Sequence, residues 1–285
     1  MGKLLLKSQH RLLCGDSRSP EAVAALLDAD LAAIAITSPP YASQRKYDES
    51  SGFVPIRPDQ YVDWWEPVQA NVRQHLSPDG SFFVNIKEHC DDGQRHLYVK
   101  DLTLAHVRRW GWMFVDEFCW RDTKNGVPGG WNNRFKDAWE PVFHFATGAI
   151  KFRPEAVSTQ STQCFDYSPA NGKSSNGSGL KSGEPVGGLQ GGMARPSNVL
   201  EIAAAAGADG HSAAFPLGLP AFFIKAFTDP GDLVYEPFCG SGTTLIAAEQ
   251  LGRRCVAMEI SPAYCDISVA RWENITGKKA VKWES

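Results

Sequence analysis

The stretch Leu233-Val234-Tyr235-Glu236-Pro237-Phe238-Cys239-Gly240-Ser241-Gly242-Thr243-Thr244 decides the fold. Asp232 to Glu236 reads as a strand, residues 237–242 as a turn marked by proline and glycine, and Thr243 as the start of a helix to Leu251. A second strand from Arg254 to Met258 follows, with Glu259 at its tip and a helix from Pro262 to Trp272 beyond. Strand, tight turn, helix, strand is the repeating unit of a parallel sheet. Glycines in such a turn let the backbone approach a ligand, and an acidic residue ending the next strand can accept from both ribose hydroxyls. Glu259 stands 19 positions after Gly240, within that reach. There is no third glycine, position 245 being Leu, and no GK[ST] ending, so a pyrophosphate cradle is disfavoured. A nucleoside without phosphates, such as S-adenosylmethionine, suits the turn. The same residues also suit a plain strand-to-helix turn with Glu259 at a solvated strand end.

Outward from this unit, apolar runs alternate with helix-period stretches. Strands are expected at Leu12 and Leu13, Leu31 to Ile36, Phe82 to Ile86, Trp112 to Trp120 and Val142 to Ala146. Helices are expected over Val23 to Leu27, Pro58 to Leu76, Leu97 to Trp110 and Pro216 to Phe227, the second stopped by Ser77-Pro78-Asp79-Gly80. The fold class is therefore α/β, a mostly parallel sheet with helices on both faces. Between about Arg153 and Gly210 the periodicity fades, and eight glycines lie between Asn171 and Gly192, which marks a functional excursion or linker.

The strand from Leu31 empties into Thr37-Ser38-Pro39-Pro40-Tyr41. Both prolines fix φ and neither offers an N–H, so the turn presents acceptors and an aromatic face. The Ser38 hydroxyl and the Pro39 carbonyl can accept from an exocyclic NH2 while Tyr41 stacks on a planar ring. Such acceptors localise the nitrogen lone pair toward a methyl donor, which is preorganised electrostatic help. An isolated tetrapeptide of this kind is also a stiff loop, but ligands of open α/β sheets bind beyond the carboxyl ends of strands, where both turns fall.

The chain of 285 residues has 29 Lys+Arg, 32 Asp+Glu and a net charge of -3, so it is an ordinary globular protein large enough for a buried core. Met1 to His10 holds three consecutive apolar residues, too few for a signal peptide, and no window suits a membrane span. Seven cysteines without a CxxC pair read as reduced thiols of a cytoplasmic protein, with no metal site.

Taken together, these segments resemble the DNA amino-methyltransferases, which methylate N4 of cytosine or N6 of adenine. The family's catalytic turn corresponds to Ser38-Pro39-Pro40-Tyr41 and its cofactor turn to Phe238-Cys239-Gly240-Ser241-Gly242. Leu13-Cys14-Gly15-Asp16, His211 to Pro216 and Glu259 to Asp266 also match. The catalytic half precedes the cofactor half, as in the β subgroup. The resemblance implies a Rossmann-like methyltransferase fold, S-adenosylmethionine as cofactor and double-stranded DNA as partner, with room for a cognate restriction endonuclease and for either a monomer or a homodimer. It implies cofactor contacts at Asp16, Thr37, Phe215, Pro216, Glu236, Phe238, Gly240, Ser241, Gly242, Thr243 and Glu259, with Glu259 on the ribose and Asp16 near the adenine amino group. Asp16 as a helix N-cap before Ser19-Pro20-Glu21 is the alternative. One methyltransferase domain, 1–285, is expected, with a catalytic half at 1–120, a target-recognition region at 121–210 and a cofactor half at 211–285.

Ser at the head of the catalytic turn is typical of the cytosine-N4 enzymes, Asp of the adenine-N6 enzymes. None of the seven cysteines follows a proline, which disfavours C5 chemistry. The expected reaction is direct transfer to a flipped base. A pI near 6.2 gives no overall basic footprint. Residues 121–200 nevertheless hold nine Lys/Arg against six Asp/Glu, leaving 20 against 26 elsewhere. Arg45, Lys46, Lys124, Trp131, Arg134 and Lys136 are the candidate DNA contacts; solvated loops explain the same charges. The tryptophans at 64, 65, 110 and 112 are expected in the core. Rival readings are a nucleotide-dependent oxidoreductase, which leaves Ser-Pro-Pro-Tyr idle, and a regulator that binds DNA without catalysis.

Overall fold

The computed structural model describes residues 3–6, 10–42, 53–91, 93–123, 135, 137–160, 188–189, 193–194, 196–203 and 215–283. Its first half runs β1 (Lys3–Leu6), β2 (Arg11–Cys14), α1 (Pro20–Leu27), β3 (Ala32–Thr37), α2 (Tyr61–Gln74), β4 (Leu76–Asn85), α3 (Tyr98–Arg108), β5 (Met113–Arg121) and β6 (Glu140–Ala146). Then follow β7 (Val199–Glu201), α4 (Gly218–Phe227), β8 (Leu233–Glu236), α5 (Thr243–Gln250), β9 (Arg254–Glu259), α6 (Pro262–Thr276) and β10 (Ala280–Trp283). The ten strands form one sheet in the order β7-β5-β6-β4-β3-β8-β9-β2-β1-β10. Its centre, β4-β3-β8-β9-β2, is entirely parallel, and β6, β1 and β10 pair antiparallel toward the edges.

Period-two alternation divides the strand side chains between two cores. Ala35, Leu233, Tyr235, Val256 and Met258 face α1, α2 and α3, where Trp65, Phe82 and Trp112 are buried. Ile34, Ile36, Val234, Cys255 and Ala257 face α4, α5 and α6, with Phe223, Leu245 and Trp272. The caps follow local chemistry. Ser19 and Ser261 accept from the first-turn N–H groups of α1 and α6, each with proline next in the chain, and Gly277 ends α6 at φ 69°.

Three expectations need correction. The Ser77-Pro78-Asp79-Gly80 signal does not precede the strand, because Leu76 already pairs with Ala32 and pairing resumes at Ser81 opposite Ile34. The four residues are an irregularity inside β4, where Pro78 has no ladder N–H to lose. The helix expected from Pro58 begins as a 3-10 turn at Pro58–Gln60 and becomes α-helical at Tyr61. Pro216 does not open α4 either: its carbonyl accepts from Leu219 N at 3.0 Å in a turn ahead of Gly218. No described helix is long and apolar enough to cross a membrane.

Candidate functional site

Because β3, β8 and β9 are parallel neighbours, the turns after them open at one edge of the sheet. The turn after β8 is fixed from several sides. Gly240 and Gly242 take φ of +52° and +84°, a region that L-residues rarely adopt. Gly240 N donates to Glu259 Oε2 at 2.7 Å, and Ser261 N donates to Glu259 Oε1 at 2.9 Å. Glu259 is thus tied to the turn and is not a solvated strand end. Burial raises its pKa, opposed by these backbone N–H groups. The two oxygens keep acceptor capacity beyond their backbone partners.

Behind the turn, Ser268 Oγ donates to Gly240 O at 2.8 Å, and Arg271 donates to the carbonyl and hydroxyl of Ser241. The Ser241 hydroxyl, expected at the cofactor, is therefore engaged with α6. Thr243 is buried at the start of α5. Glu236 is fully buried and accepts from Phe238 N at 3.1 Å and Thr244 Oγ1 at 2.7 Å. Burial pushes it up to about 8, against the lowering effect of Thr37, Thr244 and the Phe238 N–H. The buried Thr37 hydroxyl lies beside this carboxyl without completing a hydrogen bond.

A cavity of about 350 Å³ adjoins the tips of β2 and β9, lined by Arg18, Phe53, Val54, Pro55, Ile56, Gln60, Trp64 and Ile260. That volume suits a small organic ligand. Trp64 stacks on Phe238 at 5.8 Å, Phe53 meets Trp64 edge-on at 6.3 Å, and the Arg18 guanidinium lies 5.9 Å from the Trp64 ring centre. Trp65 backs Phe238 at 6.0 Å, and its indole N–H donates to His106 Nε2 at 3.1 Å. Burial pushes His106 down to about 3, so it is neutral and donates from Nδ1 to the Leu102 carbonyl. Asp16 does not cap α1; Ser19 does. The Asp16 carboxylate is held by the Arg18 backbone and guanidinium at 2.7 to 3.1 Å. Burial would raise its pKa, but these bonds and the charge of Arg18 outweigh it and lower the value.

The catalytic-turn candidates leave β3 beside β8. Thr37, Pro39 and Tyr41 are buried, and Ser38 and Pro40 are half-buried. Tyr61 Oη donates to the Pro40 carbonyl at 2.7 Å, and Tyr41 Oη donates to Glu140 Oε2 at 3.1 Å. The fold thus brings Ser38 to Tyr41, Glu236 to Thr243 and Glu259 to one edge, with Asp16 at the next strand. Phe215 packs on the α4–α6 side, and Pro216 is buried ahead of α4. Arg45, Lys46, Lys124, Trp131, Arg134 and Lys136 lie outside the described residues. The sequence reading missed Arg18, the 53–60 segment and Ile260, and took Trp64 as core only. Three apolar residues, Phe53, Val54 and Ile56, in a proline-rich stretch without periodicity were the available signal.

A parallel centre with a glycine turn, a carboxylate ending the following strand and an aromatic cavity beside them is the arrangement of a nucleoside-cofactor site in a Rossmann-like sheet. The family model described as DNA methylase matches residues 32–270, and the chain belongs to this family of DNA amino-methyltransferases, whose methyl donor is S-adenosylmethionine. The chain is 28% identical over 280 residues to the Type II methyltransferase M.PvuII of Proteus hauseri, covering 86% of this chain and 80% of the relative. It is 27% identical to the Type II methyltransferase M.Cfr9I of Citrobacter freundii, over 83% and 79% of the two chains. The solved PvuII DNA methyltransferase, described as cytosine-N4-specific, superposes with a TM-score of 0.70 at 26% identity, covering 94% of this chain and 87% of that one. A putative DNA modification methylase of Thermus thermophilus, solved with S-adenosyl-L-methionine, shares the fold at a TM-score of 0.59 and 22% identity, over 93% of each chain. The residues here fit that cofactor: a Cβ on Gly240 would meet nothing within 4 Å, and the cavity is lined by Arg18, which binds Asp16, and by Ile260, the residue after Glu259.

Proposed function

We propose that the protein methylates the exocyclic N4 of cytosine in DNA, by direct transfer to a base flipped from the duplex. The observation that carries the reading is the Ser38-Pro39-Pro40-Tyr41 turn at the end of β3, beside the glycine turn of β8. The likeness to a methyltransferase described as cytosine-N4-specific supports it. Ser38 and the Pro39 carbonyl accept from the amino group, Pro40 stiffens the turn, and Tyr41 stacks on the base. Bound S-adenosylmethionine supplies an electrophilic sulfonium methyl. Glu259 holds the ribose hydroxyls, Asp16 reaches the adenine amino group, and Trp64, backed by Phe238, walls the cavity. The Gly240 to Gly242 backbone gives close approach, with Thr37, Glu236, Ser241, Thr243, Phe215 and Pro216 shaping the surroundings.

Covalent C5 chemistry has no support, since burial pushes the Cys239 thiol far up and leaves no thiolate in the turn. Residues 121–210 serve target recognition in this reading, with Lys124, Trp131, Arg134 and Lys136 on DNA and Arg45 and Lys46 clamping the flipped strand. The Type II relatives suggest the modifying half of a restriction-modification pair. The test is to incubate the protein with S-adenosylmethionine and unmodified mixed-sequence DNA, digest to nucleosides and identify the product by mass spectrometry. N4-methylcytosine, lost in Ser38→Ala, is expected. N6-methyladenine would overturn the base assignment, and no methylated nucleoside despite cofactor binding would overturn the DNA substrate.

A further inference from the structure

The hydroxyl of Tyr41 meets a carboxylate from 99 residues further along the chain. Glu140, the first residue of β6, accepts from Tyr41 Oη through Oε2 at 3.1 Å, and its Oε1 lies 3.7 Å from Lys87 Nζ. Lys87 sits two residues past β4, where its carbonyl accepts from Tyr98 Oη at 2.7 Å. Its ammonium also lies 3.8 Å from Asp137, which Arg95 binds at 2.5 Å. Glu140 is therefore itself held, between a strand of the parallel core and the strand that leads out of the 121–136 stretch.

A tyrosine ring pivots about two side-chain torsions. With the ring buried to 8% exposure and its hydroxyl fixed at the far end, both torsions are set before a substrate arrives. A stacking surface set in advance avoids the ordering cost that a loose ring incurs on binding. The geometry points to Glu140 as a positioning residue: through the Tyr41 hydroxyl it presets the ring against which the target base stacks, with Lys87 steadying the carboxylate. The inference rests on the reading of Tyr41 as the stacking side chain.

The test uses the full-length protein, unmodified DNA and radiolabelled S-adenosylmethionine, measuring the single-turnover methylation rate and the cofactor Kd. The variants are Tyr41→Ala, Tyr41→Phe, Glu140→Ala, Glu140→Gln and the double variant Tyr41→Phe with Glu140→Ala. Tyr41→Phe and Glu140→Ala are each expected to slow transfer by about tenfold, and the double variant by no more than either alone, as for two ends of one interaction. Glu140→Gln keeps an acceptor oxygen and stays within about threefold of the parent rate. Cofactor Kd is unchanged throughout. A Glu140→Ala rate at the parent level while Tyr41→Ala is inactive overturns the inference alone, as does multiplication of the two effects or an equal loss of cofactor affinity. Full activity in Tyr41→Ala overturns the stacking reading and the inference with it.

Discussion

Gly240 and Gly242 stand two residues apart in one turn, yet alanine at the two positions should do different damage. Both have positive φ, which costs an L-residue about 1–2 kcal/mol. A Cβ at Gly240 would meet nothing within 4 Å, so Gly240→Ala adds only that strain to the folded protein. For a chain of this size the melting temperature should fall by roughly 2–8 °C. In the proposed function the cofactor lies in the open space beside Gly240, and a methyl group pushed into a close-fitting contact costs about 1–3 kcal/mol, or roughly fivefold to 150-fold in Kd. At Gly242 the added Cβ would lie 3.0 Å from Ser268 Oγ, 3.1 Å from its Cβ and 3.3 Å from its Cα, so α6 has to give by a few tenths of an ångström. Gly242→Ala should therefore lose about 2–5 kcal/mol of stability from strain and overpacking together. Its affinity loss should be smaller than that of Gly240→Ala. Calorimetric titration with S-adenosylmethionine and thermal melts of both variants read the two effects separately. Unchanged cofactor affinity in Gly240→Ala, with the small drop in melting temperature present, would show that the ligand does not approach this face of the turn and would refute the reasoning.

Glu259→Gln retains one acceptor but turns an NH2 toward either Gly240 N or Ser261 N; cofactor Kd should rise by roughly tenfold to a hundredfold in titration, with a smaller change in melting temperature. Trp64→Ala removes the ring between Phe238 and Phe53, and weaker cofactor binding with loss of ligand-induced tryptophan quenching is expected in a fluorescence titration. His106→Leu strands the buried Trp65 N–H and should cost about 1–3 kcal/mol in chemical denaturation. Burial holds Glu236 up to about 8, above its unfolded value, so its contribution to stability is full at acid pH and is lost as pH rises through about 8. His106 and His144, pushed down to about 3, act oppositely, contributing above the ordinary histidine range and losing that contribution as pH falls. Between pH 6.5 and 8 the decline belongs to the buried carboxyls, and Glu236→Gln should flatten it in thermal melts. A decline as steep as the parent's would refute the assignment to Glu236.

What the sequence made legible was the chemistry that the backbone fixes locally. A strand running into Glu236-Pro237-Phe238-Cys239-Gly240 can be read in place, because the proline, the positive-φ glycines and the next strand's Glu259 all lie within one βαβ unit. Ser38 to Tyr41 was legible for the same reason. The Ser77-Pro78-Asp79-Gly80 signal misled, since turn residues at a strand margin look alike whether the chain stops there or bulges, and only Leu76 against Ala32 distinguishes the cases. Strand β7, three residues long within the aperiodic 153–210 stretch, owes its existence to pairing with β5. Trp64 shows the limit most directly. Its place on an apolar helix face correctly announced burial, but whether a half-buried indole faces core or cavity depends on what stands across from it. Here that is Phe238 from the turn after β8 and Phe53 from a loop. The Tyr41 to Glu140 bond is of the same kind: each residue is ordinary in its own segment, and the constraint exists only where the sheet places β3 and β6 on either side of β4. Substitutions that test local chemistry can therefore be chosen from the sequence, whereas those that test positioning need the tertiary contact in view.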